Sequence, residues 1–351
     1  MKKELLMATA LVSTLGAASV AQAVTATTSG SMKLGVEFDA PESGVDTQNT
    51  VDLTNFSVAL SETTDGGTTI STSFNIIDEG TSDIGDDDNA LKLTFTDGSA
   101  LEVLNAGNAL GTHDVAIPGA AGEMSVAGTS TNSAPTGLDF AAPATALGVE
   151  WHSAADFLMD GLKMSASFST DSGAAKAVTS RVENSWGLGA TYVTSAGDTA
   201  LTIGGGISGS EVAVLDTQSS NDDGGFTLGV SAVTGDLTIA VGYADGDTTT
   251  GVASNTNKQV DADVVKAGVK YVTGDLTMNI GMVAGKAIDN IFAGTDTKED
   301  SHDEVNASVT YAVASGVSAI VGYTTVDQND ENVDSTTTGG SSWYVGATMS
   351  F

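Results

Sequence analysis

Cysteine is absent from this chain, which leaves it no disulfide framework, no thiolate metal site and no cysteine nucleophile. Positive charge is scarce. Twelve Lys and Arg stand against 45 Asp and Glu, a net charge of −33, and the single arginine is Arg181. This balance argues against a nucleic-acid partner, whose phosphates demand clustered basic residues. Aromatics are few (5%) while glycine fills 42 positions, a poor stock for one large soluble core. Beyond the first two dozen residues, no run reaches the ~20 uninterrupted apolar residues of a spanning helix. If the mature chain enters a membrane, it does so as a closed barrel, since only helices and barrels satisfy their backbone groups in lipid.

The first residues indicate export. Met1-Lys2-Lys3 is a basic start, Leu5 to Val20 is apolar, and Ala21-Gln22-Ala23 has the small-residue pattern of a cleavage site. Residues 1–23 are therefore expected to be a signal peptide, and residues 24–351 one mature domain. A membrane anchor is the alternative. The abrupt change at Val24 to a Thr/Ser-rich sequence argues against it.

The mature sequence is punctuated by seven tight-turn signals. They are Thr64-Asp65-Gly66-Gly67, Thr96-Asp97-Gly98-Ser99, Met159-Asp160-Gly161, Ser195-Ala196-Gly197-Asp198, Thr234-Gly235-Asp236, Thr273-Gly274-Asp275 and Ala314-Ser315-Gly316. Asp-Gly and Gly-Asp pairs between alternating runs are strong hairpin signals, because glycine accepts the positive φ these turns require. Between them lie longer, acidic connections near 41–51, 79–89, 106–147, 171–183, 210–224, 247–262, 287–303 and 328–341. Seven turns join fourteen strands. One more strand before the first long connection and one after the last make sixteen, with short connections on one rim and long ones on the other. The weakest strand is expected over 100–105, and both termini should lie at the short-turn rim.

Within the strands, apolar residues take alternate positions. Leu237, Ile239, Val241 and Tyr243 alternate with Thr238, Ala240 and Gly242. Leu276, Met278, Ile280 and Met282 alternate with Thr277, Asn279 and Gly281. The last segment sets Trp343, Val345, Ala347, Met349 and Phe351 against Tyr344, Gly346, Thr348 and Ser350. Aromatics gather toward strand ends, as interfacial girdles would. The expected fold is an all-β, sixteen-stranded antiparallel transmembrane barrel, lipid outside and water inside. A secreted β-sandwich would also alternate, yet it explains neither the two kinds of connection nor the terminal strand.

Three stretches carry a family likeness: Ser29 to Val36, Phe56 to Phe74 around Thr63-Thr64-Asp65-Gly66, and Gly107-Asn108-Ala109-Leu110-Gly111. With the terminal Phe351, they resemble the alphaproteobacterial general porins of the Gram-negative outer membrane, those similar to Rhodobacter porin. The resemblance implies a homotrimer of sixteen-stranded channels for small hydrophilic solutes and ions. It implies outer-membrane lipid and lipopolysaccharide as surroundings, and recognition of Phe351 by the barrel-insertion machinery. It also implies an inward-folded third loop, here 106–147, as the constriction. The family usually sets wall arginines against carboxylates of that loop, and this chain departs from the pattern with its one arginine.

Strand parity assigns the basic residues Lys33, Lys92, Lys163, Arg181, Lys266 and Lys270 to the lumen, with Lys33 and Lys92 the stronger candidates. The facing acids would be Asp114, Glu123 and Asp139. So few cations among so many carboxylates favour passage of cations. Acidic groups at Asp86, Asp87, Asp88, Asp222 and Asp223 offer oxygen ligands of the kind Ca²⁺ prefers, without the spacing of a dedicated calcium loop. A repelling, soluble outer surface is the plainer reading, and no other cofactor is indicated. His113, His152 and His302 lie far apart in sequence, with no nucleophile elbow, zinc pair or phosphate loop beside them. Gly204-Gly205-Gly206 lacks the following helix of a dinucleotide site, and points to close backbone approach or a bend in the wall. A substrate-specific channel would carry an aromatic or arginine track, which is not evident, and an adhesin would show stronger repeats.

Overall fold

The structure is a computed structural model, describing residues 24–42, 45–78, 91–104, 107–119, 147–170, 180–214, 219–250, 258–291, 297–330 and 336–351. Sixteen strands close into one antiparallel barrel in which each strand pairs with its neighbours in sequence and the first meets the last. The first half comprises β1 (Thr25–Pro41), β2 (Thr47–Thr63), β3 (Thr69–Asp78) and β4 (Leu91–Thr94). It continues with β5 (Ala100–Val103), β6 (Leu147–His152), β7 (Leu162–Thr170) and β8 (Ser180–Ala196). The second half comprises β9 (Thr199–Val214), β10 (Ser219–Thr234), β11 (Leu237–Thr250) and β12 (Lys258–Thr273). It ends with β13 (Leu276–Ile291), β14 (Thr297–Ala314), β15 (Val317–Asp330) and β16 (Thr336–Ser350). A short helix, α1 (Ala109–Thr112), lies between β5 and β6.

All seven expected turns join the expected strand pairs, each with a glycine in the left-handed region, from φ 56° at Gly235 to 85° at Gly98. In Gly235-Asp236 and Gly274-Asp275 only the first central residue has positive φ, the pattern of a type II′ hairpin turn, whose twist matches that of the strands. Closure rests on the β1–β16 ladder, from Ser31 opposite Ser350 to Pro41 opposite Gly340, and the chain end extends it. Gly30 and Phe351 exchange both backbone hydrogen bonds at 3.1 Å, and the Ser350 N–H donates to the Gly316 carbonyl at 2.8 Å. The carboxyl end is thereby fixed at the level of the β14–β15 turn, on the short-turn rim.

The alternation maps onto two faces. Ile239, Val241, Ile280, Val305 and Val345 are about half exposed and point outward. On the inner face, Ala240, Ala244, Ser308 and Tyr344 are buried. Aromatics form two outward girdles. Phe226 with Tyr243 (centroids 5.8 Å apart) and Tyr323 with Trp343 (4.5 Å) mark the long-connection side, and Phe56 with Phe351 (6.4 Å) the other.

Two differences from the sequence reading stand out. Several strands run further than the alternation indicates. Asp222 and Asp223 lie within β10, and Asp300 and Asp303 within β14, where long acidic loops were expected. Above the girdle both faces of a strand meet water, so the hydrophobic alternation disappears while the hydrogen-bond ladder continues. Wall height is also uneven: β4 and β5 have four residues each, whereas β8 to β16 have 14 to 18.

Candidate functional site

The chain leaving β5 turns into the lumen. Asn108 caps α1, its side-chain oxygen accepting from the Gly111 N–H at 2.9 Å, and residues 113–119 then run extended along the inner wall. A side-chain clamp from β6 and β7 holds the start of this segment. Both oxygens of the buried Glu150 carboxylate are used. One accepts from the Asn108 N–H at 3.0 Å and the other from the Thr112 hydroxyl at 2.7 Å. Ser167 accepts from the Ala109 N–H at 3.1 Å and donates to the Gly107 carbonyl at 2.7 Å. Hydrogen bonds to a buried carboxylate are among the stronger kinds, at about 1.5–3 kcal/mol each.

His113 completes the anchor. One ring nitrogen shares a hydrogen bond with Thr191 and the other with Ser165, both at 2.8 Å. The Ser165 hydroxyl also meets His152 Nδ1 at 2.9 Å, so one oxygen joins two histidines. A hydroxyl has one proton, so at least one of the two facing ring nitrogens carries its own. Burial above all, and then the electrostatic influence of His152 and Lys163, pushes the His113 ring down to about 4, and it stays neutral near pH 7. Beyond His152, the polar row continues to Glu102 (3.3 Å) and from Glu102 to Lys92 (2.6 Å).

From His113 onward the segment alternates. His113, Val115 and Ile117 turn to the wall, and Thr112, Asp114 and Ala116 are exposed to the lumen. Asp114 accepts a short hydrogen bond from the Thr227 hydroxyl on β10. A cavity of ≈ 280 Å³ lies here, lined by Asp114, Val115, Ile117, Thr227 and Lys266.

The predicted residues fare as follows. Lys33, Lys92, Lys163, Lys266 and Lys270 fall on the inner face, opposite Thr348, Glu102, Thr191, Gly242 and Thr238 respectively. Lys92 is tied to Glu102, while Lys266 lines the same cavity as Asp114. Arg181 is backbone-paired with Ala213 beyond a β-bulge between Val182 and Asn184, so simple parity does not carry through to it. Its side chain, that of Asp222, and Glu123, Asp139, Asp86, Asp87 and Asp88 lie outside the described residues. Among the described residues no group of three or more acidic or histidine side chains could hold a metal ion.

Sequence reasoning missed Glu102, Glu150, Ser165 and Ser167. It also kept His113 and His152 apart, although both bind Ser165. The strand ladder aligns His152 with Ser165 and Glu150 with Ser167, a proximity that no linear spacing displays. The reading of Gly204-Gly205-Gly206 held. A Cβ at Gly204 would collide with the His113 carbonyl oxygen, and Gly205 takes a φ of 150°.

A family model described as Gram-negative porin matches residues 8–331. No curated protein matches the chain. Among solved structures, the chain is similar to the in-vitro folded trimer form of OmpT, an outer membrane protein of Vibrio cholerae. Identity is 14% and TM-score 0.61, over 93% of this chain and 99% of that one. It is also similar to an anion-selective porin from Comamonas acidovorans, at 10% identity and TM-score 0.63, over 93% and 100% of the two chains. A mutant of the Rh. blastica porin aligns at 16% identity and TM-score 0.52, again over 93% and 100%. At these identities the structural likenesses speak for the fold.

Proposed function

The chain belongs to the Gram-negative porin family, and from that premise we propose that this outer-membrane channel is a general diffusion pore for small hydrophilic solutes and ions. The observation that carries the reading is the segment 107–119, laid across the inner wall of a polar lumen. It lies inside the barrel against the wall, and among the described residues no aromatic or arginine track lines that wall. Residues 1–23 would direct export and be removed, and 106–147 would form the constriction.

Cation preference is the second part of the proposal. It is supported by the net charge of −33, by the exposed Asp114 on the lumen side of the segment, and by the pairing of Lys92 with Glu102. The third part is a homotrimer. A strand of four residues reaches only ~14 Å, against a lipid-facing band of ~25 Å, so the low wall at β5 suits contact with further copies better than contact with lipid. The trimer form of the Vibrio protein is consistent with this.

Planar-bilayer recording tests the reading. Purified protein should give discrete open channels, and reversal potentials under a salt gradient should take the sign of cation preference. That preference should weaken as screening shortens from ~10 Å at 0.1 M salt to ~3 Å at 1 M. Neutralising Asp114, Glu123 and Asp139 together should move selectivity toward anions, and neutralising Asp86, Asp87 and Asp88 should move it much less. Anion preference of the unmodified channel at low salt would refute the electrostatic part and leave the channel reading intact.

A further inference from the structure

Each of six successive strands, β8 to β13, places an inner-wall glycine under the inward segment. A Cβ at Gly189 would fall on the Ala109 carbonyl oxygen, at Gly204 on the His113 carbonyl oxygen, and at Gly268 on the Pro118 carbonyl oxygen. At Gly229 it would lie 2.6 Å from Val115 Cβ, at Gly281 2.9 Å from Gly119 Cα, and at Gly242 3.4 Å from Ile117 Cδ1. The strand ladder sets these glycines side by side: Gly204 faces Gly229, Gly229 faces Gly242, and Gly268 faces Gly281.

The dimensions agree. Five strand spacings of ~4.8 Å make ~24 Å of wall from β8 to β13. Residues 109–112 in helix and 112–119 in extended chain cover roughly 27 Å. The segment is thus long enough to cross the six strands once, and it descends into the wall where side chains are missing.

We propose that Gly189, Gly204, Gly229, Gly242, Gly268 and Gly281 are positioning residues of the channel. They recess the inner wall into a groove that takes the chain from Ala109 to Gly119, and so fix how far that chain projects into the lumen. The inference rests on the reading of the protein as an open channel narrowed by this segment. It adds that the bore is set by the wall beneath the segment as well as by the side chains on top of it. Wherever the wall regains a side chain, the segment must rise toward the axis and the open area must shrink.

The test is single-channel conductance of four proteins in bilayers: wild type, Gly242→Val, Ile117→Ala and the double variant. Gly242→Val should lower conductance, because its methyls occupy the space of Ile117 Cδ1. Ile117→Ala should restore it in the double variant by vacating that space. Ser318→Ile adds similar volume to the inner face of β15, away from the groove, and should leave conductance near that of wild type. A merely structural role would lower barrel stability in Gly242→Val without this reciprocal rescue.

A second measurement serves if Gly242→Val fails to fold. The chain has no cysteine of its own, so Val115→Cys with Gly229→Cys supplies an isolated pair. A seated segment predicts complete oxidative cross-linking, after a small shift toward the ~3.8 Å Cβ separation of a disulfide. Because Gly229→Cys also returns a side chain to the groove, the cross-linked protein should conduct less than wild type. Failure to cross-link, or wild-type conductance of the cross-linked protein, would overturn the proposal, as would equal conductance of wild type and Gly242→Val. A wild-type protein that forms no channel would defeat the channel reading instead.

Discussion

Ile280 offers a direct measure of which side of this wall meets hydrocarbon. It is 59% exposed, points outward from β13 between Val269 and Ala307, and lies four residues from both Leu276 and Ala284. Four steps of ~3.4 Å along a strand tilted ~40° amount to roughly 10 Å along the bilayer normal. Ile280 therefore sits close to the middle of the ~25 Å apolar band. Arginine at that depth costs about 2–4 kcal/mol, which should lower the folding equilibrium in lipid roughly 30- to 700-fold at 1.4 kcal/mol per decade. Thr277 is three residues away on the same strand and faces the lumen. Thr277→Arg places the same charge in water and should cost less than about 0.5 kcal/mol. Denaturant titration of folding into phosphatidylcholine vesicles, read by tryptophan fluorescence and heat-dependent gel mobility, compares the two. Equal penalties would refute the assignment of faces, and a larger penalty for Thr277→Arg would reverse it.

Glu150→Ala removes the acceptor for both Asn108 and Thr112. It should weaken seating of the segment by up to roughly 3–6 kcal/mol, seen as raised open-channel noise with β-content by circular dichroism unchanged. The pH response of the segment should follow His113, whose seated ring holds its proton less tightly than a free one. Seating is at full strength above the free-ring value near 6.5 and is lost as pH falls toward about 4, since the unseated ring takes up the proton first. Hydrogen exchange of residues 109–117 between pH 7 and 4 should show this, and His113→Gln should flatten it. If the proposed trimer packs through this wall, Leu93→Arg, outward on β4, should dissociate it by light scattering while Ile280→Arg, distant from that wall, spares it.

The strand count and the turns could be read from the sequence because each depends on local chemistry. A glycine with positive φ ends every hairpin, and a period of two assigns every side chain to lipid or water wherever the two differ. Beyond the girdle they do not differ. Asp245 faces Asp263 and Asp247 faces Asp261 across β11 and β12, and such a run reads as a loop although the ladder continues. The clamp was illegible for another reason. Glu150 and Ser167 look like ordinary small or polar inward residues until the register sets them under Asn108 and Ala109. Gly204 announced itself through its two glycine neighbours, whereas Gly229, Gly242 and Gly268 stand singly and acquire meaning only from the chain passing over them.

The pairing of Gly30 with Phe351 has a consequence for the order of events in biogenesis. The two partners stand 321 positions apart, so the β1–β16 ladder that seals the cylinder, and that they extend, cannot form until the last strand is delivered beside the first. Every intermediate before that moment presents two unpaired strand edges, the template on which β-chains associate with one another. A chain interrupted before β16 would not become a smaller pore. It would remain an open, adhesive sheet, suited to capture by holdase chaperones and to degradation.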